Sequence, residues 1–149
     1  MNKLKTLLAL LLLIPSLSWG TKLIPLEKYY NDNSNNIDIS VSTYVFARCT
    51  AVFFTVAKMA IQNDNSAANE QIFYGEKFFD LLNLISKADE KNKLSEDEIF
   101  NQNIELVTNL TNKLIDITND EWENTGSHVK GFIKDDLDFC ILMEQSLRN

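Results

Sequence analysis

The chain reads as an all-α protein, an up-down four-helix bundle behind an irregular N-terminal arm, with one disulfide. Three observations predict it. Apolar residues recur at steps of three and four in four separate stretches, helix start and stop signals fall between them, and no stretch alternates apolar and polar residues as a half-buried strand would.

The first twenty residues, MNKLKTLLALLLLIPSLSWG, stand apart from that pattern. Lys3 and Lys5 form a basic start, Thr6 to Leu17 an apolar run, and Ser18-Trp19-Gly20 a small-x-small exit. This is the layout of a secretory signal peptide cut after Gly20. A membrane anchor needs roughly 20 apolar residues, and this run is shorter and carries Pro15. No cysteine follows the expected cut, so neither a lipoprotein anchor nor stable membrane attachment is expected after cleavage.

Cleavage removes two lysines and no acid, leaving 12 basic against 21 acidic residues, a net charge of −9 with the histidine neutral. Such a surface repels phosphate backbones, so no nucleic acid partner is expected. Residues 21–40, TKLIPLEKYYNDNSNNIDIS, hold a proline and an Asn/Asp/Ser cluster, which favour local side-chain bonds over continuous helix, and predict an irregular arm. Leu23, Ile24, Leu26, Tyr29 and Tyr30 could dock it on the body. Residues 41–149 then form a single helical domain.

The first helix is expected behind Ser40 or Ser42 and to run to about Gln62, because Val45, Cys49, Val52 and Val56 follow at steps of four, three and four. A second, about residues 67–88 and capped by Asn65 or Ser66, carries Ile72, Gly75, Phe79 and Leu82 on one side. Ser95-Glu96-Asp97-Glu98 is a capping-box pattern that opens a third, with Ile99, Asn103, Leu106, Leu110, Leu114 and Ile117 in line, ending near Asn124 before Gly126. Ser127 is the expected cap of a fourth, about 128–147, whose stripe includes Phe132, Ile133, Leu137, Cys140 and Ile141.

Cys49 and Cys140 lie on the apolar stripes of the first and last helices, which are neighbours in an up-down bundle. Export to an oxidising compartment and an even cysteine count predict that they are bridged. The competing reading is two buried free thiols. Arg48, next in sequence to Cys49, should point off the cysteine face, since successive helical residues are about 100° apart. Asp136 falls one turn before Cys140, near the core stripe; if buried it needs Arg48, Lys130 or a backbone donor.

Candidate chemistry is sparse. His128, the one histidine, sits at a helix start, where the helix dipole disfavours its protonated form, and has no neighbour with relay spacing. Two cysteines and one histidine are too few for zinc unless carboxylates help. Asp32 to Asp38 resembles the start of a calcium loop, but Ile37 replaces the turn glycine and Thr43 the closing glutamate. The carboxylate pairs lie at helix ends or on polar faces. No catalytic, cofactor or metal residue is therefore expected. Asn109-Leu110-Thr111 is a glycosylation sequon on a core stripe and is discounted. Phe54 and Phe73 fall off the main stripes and form the candidate interaction surface.

The leader LLLLIPSLSWG, the arm IPLEKYY and the helix YVFARCTAVFF together resemble small exported proteins of marine bacteria and their phages. The likeness covers the leader and first cysteine helix, implies export and a paired-cysteine helical fold, and brings no catalytic residue. The expected function is that of a soluble, periplasmic or secreted, non-enzymatic protein that binds another protein, as an inhibitor, immunity-type or chaperone-like factor. A small periplasmic hydrolase, or a carrier of an apolar ligand between its helices, is the alternative.

Overall fold

The structure, a computed structural model, describes residues 22–61, 65–89 and 91–148. The expected signal peptide at 1–20 lies outside them. The described chain folds as α1 (Leu26–Asp32), a 3-10 turn (Ser34–Asn36), α2 (Ile39–Ala60), α3 (Asn65–Ala88), α4 (Glu96–Thr125) and α5 (Gly131–Leu147), with no strand among the described residues. The fold is all-α, as the apolar spacing predicts.

Helix α2 is the hub, packing against each of the other four helices and most extensively against α3. From Ala47 to Phe53 every residue is buried, so this stretch is covered on all sides. One core cluster joins Ala47, Ala51, Leu82, Leu110, Leu114 and Ile133. A second joins Leu26, Val45, Cys49, Phe53, Phe78 and Cys140. Full burial of a side chain such as Phe53 or Leu82 contributes roughly 1.5–3 kcal/mol, which outweighs the modest helix propensity of valine and phenylalanine in α2. By length and composition α2 could also cross a bilayer, but here most of its apolar window is buried inside the fold.

Four local expectations need correction, the simplest being that α3 already includes Asn65 and Ser66, which therefore do not cap a helix starting at 67. The arm at 21–40 is not irregular throughout, because α1 and the 3-10 turn occupy much of it. Pro25 supplies a preset φ of −51° at the N-cap, its carbonyl accepts the Tyr29 N–H at 3.0 Å, and Leu26 is buried beneath the helix. The cap of α2 is Asp38, not Ser40 or Ser42: its carboxylate accepts the Val41 N–H at 3.0 Å, while the Ser40 hydroxyl donates to the same oxygen at 2.7 Å. Helix α5 starts at Gly131, three residues later than expected, and Ser127 does not cap it. Lys130 is extended and Gly131 has φ +53°, a left-handed conformation that suits glycine. The Glu121 carboxylate of α4 accepts the Phe132 N–H at 3.0 Å, so a remote side chain does the capping.

Other signals read true. Ser95 and Glu98 form the reciprocal box, with Ser95 N–H on the Glu98 carboxylate at 2.8 Å and Glu98 N–H on Ser95 Oγ at 3.3 Å. Gly126 ends α4 at φ +70°, its N–H on the Trp122 carbonyl. Cys49 and Cys140 are bonded, both fully buried, tying α2 to α5 across 91 residues of sequence. A structural disulfide of this kind persists in oxidising compartments.

Reduction, or the double substitution Cys49→Ala/Cys140→Ala, is expected to lower the unfolding free energy by about 4–5 kcal/mol on loop-closure grounds. Urea titration with and without a dithiol reductant measures this. Alkylation of the unfolded, non-reduced chain is expected to add no label by intact mass, and addition of two would contradict the bridge.

Candidate functional site

Arg48 sits about 100° around α2 from Cys49, off the cysteine stripe as expected. Because α2 is covered on every side there, its guanidinium is nevertheless fully buried. Asp136 of α5, equally buried, is its partner. Arg48 Nε donates to Asp136 Oδ2 at 2.8 Å and Nη2 lies 2.6 Å from the same oxygen. Asp136 Oδ1 accepts the Leu26 N–H of α1 at 2.7 Å, so one carboxylate joins three helices. Nη1 of Arg48 donates to the Tyr44 hydroxyl at 3.1 Å, and the guanidinium carbon lies 5.1 Å from the Phe132 ring centre. Burial pushes the Asp136 carboxyl above its usual range, and the Arg48 charge and the Leu26 N–H offset only part of that rise. Both carboxylate oxygens are occupied and closed to solvent, which makes this a structural centre.

His128 precedes α5 instead of opening it. Its ring stacks on Trp122 with centroids 4.4 Å apart and planes 10° from parallel. Glu121, beside Trp122 in sequence, is committed to the α5 cap. No group of three or more metal-ligating side chains gathers among the described residues.

Exposed chemistry lies in grooves. Between α3 and α4 runs an apolar one of about 370 Å³, lined by Phe54, Phe79, Ile104 and Val107. The Phe54 ring lies directly on the α3 backbone at Gly75, where an added Cβ would come within 2.5 Å of it. Phe100, on the Phe79 ring at 5.5 Å, and Ile104 are 46% and 43% exposed. Phe73, the other candidate surface residue, is 53% exposed and sits beneath Lys77, whose ammonium is 4.8 Å from its ring centre. Positions 73 and 75 are about 200° apart around a helix, so Phe73 and the Phe54-bearing groove are on different sides of α3.

Near Phe73, Glu144 of α5 takes Lys77 at 3.3 Å and Arg148 one turn on, clasping α3 to α5. The bonds from Arg148 and then Lys77 hold the Glu144 carboxyl below its usual range. A fourth feature, between α1 and α5, is a groove of about 450 Å³ lined by the apolar Phe139 and Leu142 and the acidic Glu27 and Asp135. Phe100, Ile104 and Leu142 escape a reading of the sequence because each lies off a core stripe, where an apolar residue carries no periodic signal. Comparison with known protein families, curated proteins and solved structures finds no match.

Arg48→Met and Asp136→Asn are each expected to cost about 3–5 kcal/mol, because either leaves a buried charge unpaired. The pair Arg48→Met/Asp136→Asn removes both charges yet keeps an acceptor for the Leu26 N–H, and is expected to recover much of that loss in urea denaturation. Single variants within about 1 kcal/mol of wild type would contradict the assignment. Glu144 behaves as a lowered carboxylate: its contribution is full above the ordinary value of 4.5 and is lost as pH falls through its lower folded value. The thermal midpoint is therefore expected to drop on acidification below about pH 4.5, and less steeply in Glu144→Gln.

Proposed function

We propose that the protein is an exported, non-enzymatic binding protein, periplasmic or secreted, that works by holding another protein on its surface. The supporting observation is the apolar groove between α3 and α4, where Ile104 stays exposed beside Phe54 and Phe79, with the exposed Phe100 on the Phe79 ring next to it. Exposed apolar side chains gathered in a groove are a cost in water unless a partner covers them. An inhibitor, immunity-type or chaperone-like factor fits that description.

The alternatives gain less. A hydrolase would need His128 or a buried carboxylate open to substrate, whereas His128 lies against Trp122 and Asp136 has both oxygens engaged. A carrier would need space between the helices, and α2 is packed on all sides at its middle.

Immobilised wild-type protein is expected to retain a specific partner from a periplasmic extract, and Phe100→Glu/Ile104→Glu, folded by circular dichroism, is expected to lose it. Retention of background proteins alone by wild type, or equal capture by the variant, would overturn the reading.

A further inference from the structure

We propose that the groove between α1 and α5 is a second docking site, separate from the α3/α4 groove, for a lysine- or arginine-rich amphipathic helix of a protein partner; this rests on the binding role above. The apolar lining of the groove includes Phe139, which is half-buried, and Leu142, which is 62% exposed. Asp135, Asp138, Phe139 and Leu142 follow one another at three, one and three residues, a single stripe along α5. A partner helix laid along that stripe would meet apolar and acidic groups together.

Charge selects the partner. Four carboxylates, Glu27, Asp32, Asp135 and Asp138, line the groove with one lysine, Lys28. Lys28 is already paired with Asp32 at 2.7 Å, and Lys134 at the edge with Asp138. Glu27 and Asp135 make no ion pair among the described residues, so the rim keeps uncompensated negative charge beside exposed leucine. A cationic segment with an apolar stripe satisfies both features, and an acidic one is repelled. The walls are fixed in advance: the Leu26 N–H bond to Asp136 and the Tyr30 ring, 5.6 Å from Phe139, hold α1 on α5. A preformed groove spares the ordering cost of binding.

The probe is a fluorescein-labelled amphipathic helical peptide of leucine and lysine, with its glutamate-for-lysine counterpart as control, titrated by anisotropy against the full oxidised protein. The lysine peptide is expected to bind and the glutamate peptide not. Asp135→Lys is expected to weaken binding about tenfold, against less than about threefold for Glu105→Lys, which makes the same charge change on α4 away from the groove. Leu142→Asp is expected to weaken binding although it adds negative charge. Equal losses in Asp135→Lys and Glu105→Lys would reduce the effect to overall acidity and overturn the proposal. Amide shift changes mapping to the α3/α4 groove instead of Asn31, Phe139 and Leu142 would overturn this site while leaving the binding role standing.

Discussion

A guanidinium buried in the middle of the most apolar helix is the constraint around which the rest of the structure is arranged. Arg48 cannot shed its charge, so its place within α2 demands a carboxylate, and Asp136 must be delivered there by α5. That requirement fixes the rotation and height of α5 on α2. Cys140, one turn further along the same face, then falls opposite Cys49, and the disulfide closes in the register the ion pair has set. The two links divide the work. The covalent bond restricts the unfolded chain, whereas the ion pair adds little net energy but makes other registers of α5 costly.

The same carboxylate accounts for α1. A helix of seven residues is too short to persist alone in water. Its first amides would be orphaned against the core, and the Asp136 oxygen facing away from Arg48 takes the Leu26 N–H. Tyr29 against Tyr44 and Tyr30 against Phe139 complete the contact. The arm is thus ordered by tertiary partners, one of them 110 residues away in sequence, and it forms one wall of the acidic groove.

What can be read from the sequence, and what cannot, follows from the range of each interaction. The four long helices announce themselves by apolar spacing, and the Ser95 box and Gly126 stop are local chemistry encoded within a few residues. Cys49 and Cys140 are legible as stripe residues, and the position of Asp136 one turn before Cys140 shows that, if buried, it needs a partner, with Arg48, Lys130 and a backbone donor all open; the structure supplies Arg48 and the Leu26 N–H. By contrast, α1 and the late start of α5 depend on Asp136 and Glu121, side chains brought in from other helices. Asp136 lies 110 residues from Leu26, and Glu121, eleven residues before Phe132, reaches it only because the chain turns back at Gly126. The grooves are less legible still: Phe54 stands out by falling off its stripe, but Ile104 and Leu142 become a surface only when two helices flank them, and Phe100 only where it meets Phe79 of α3.

The buried Arg48–Asp136 pair joins helices, and the grooves lie on the surface. The α1/α5 groove depends on helices held by the Arg48–Asp136–Leu26 junction, so that junction is the claim to test first. Amide hydrogen exchange at Leu26 in the oxidised protein does so directly. The Leu26 N–H is predicted to exchange as slowly as the core amides of α2, with Lys22 to Ile24 exchanging quickly. Exchange at Leu26 as fast as at those flanking residues would contradict the junction.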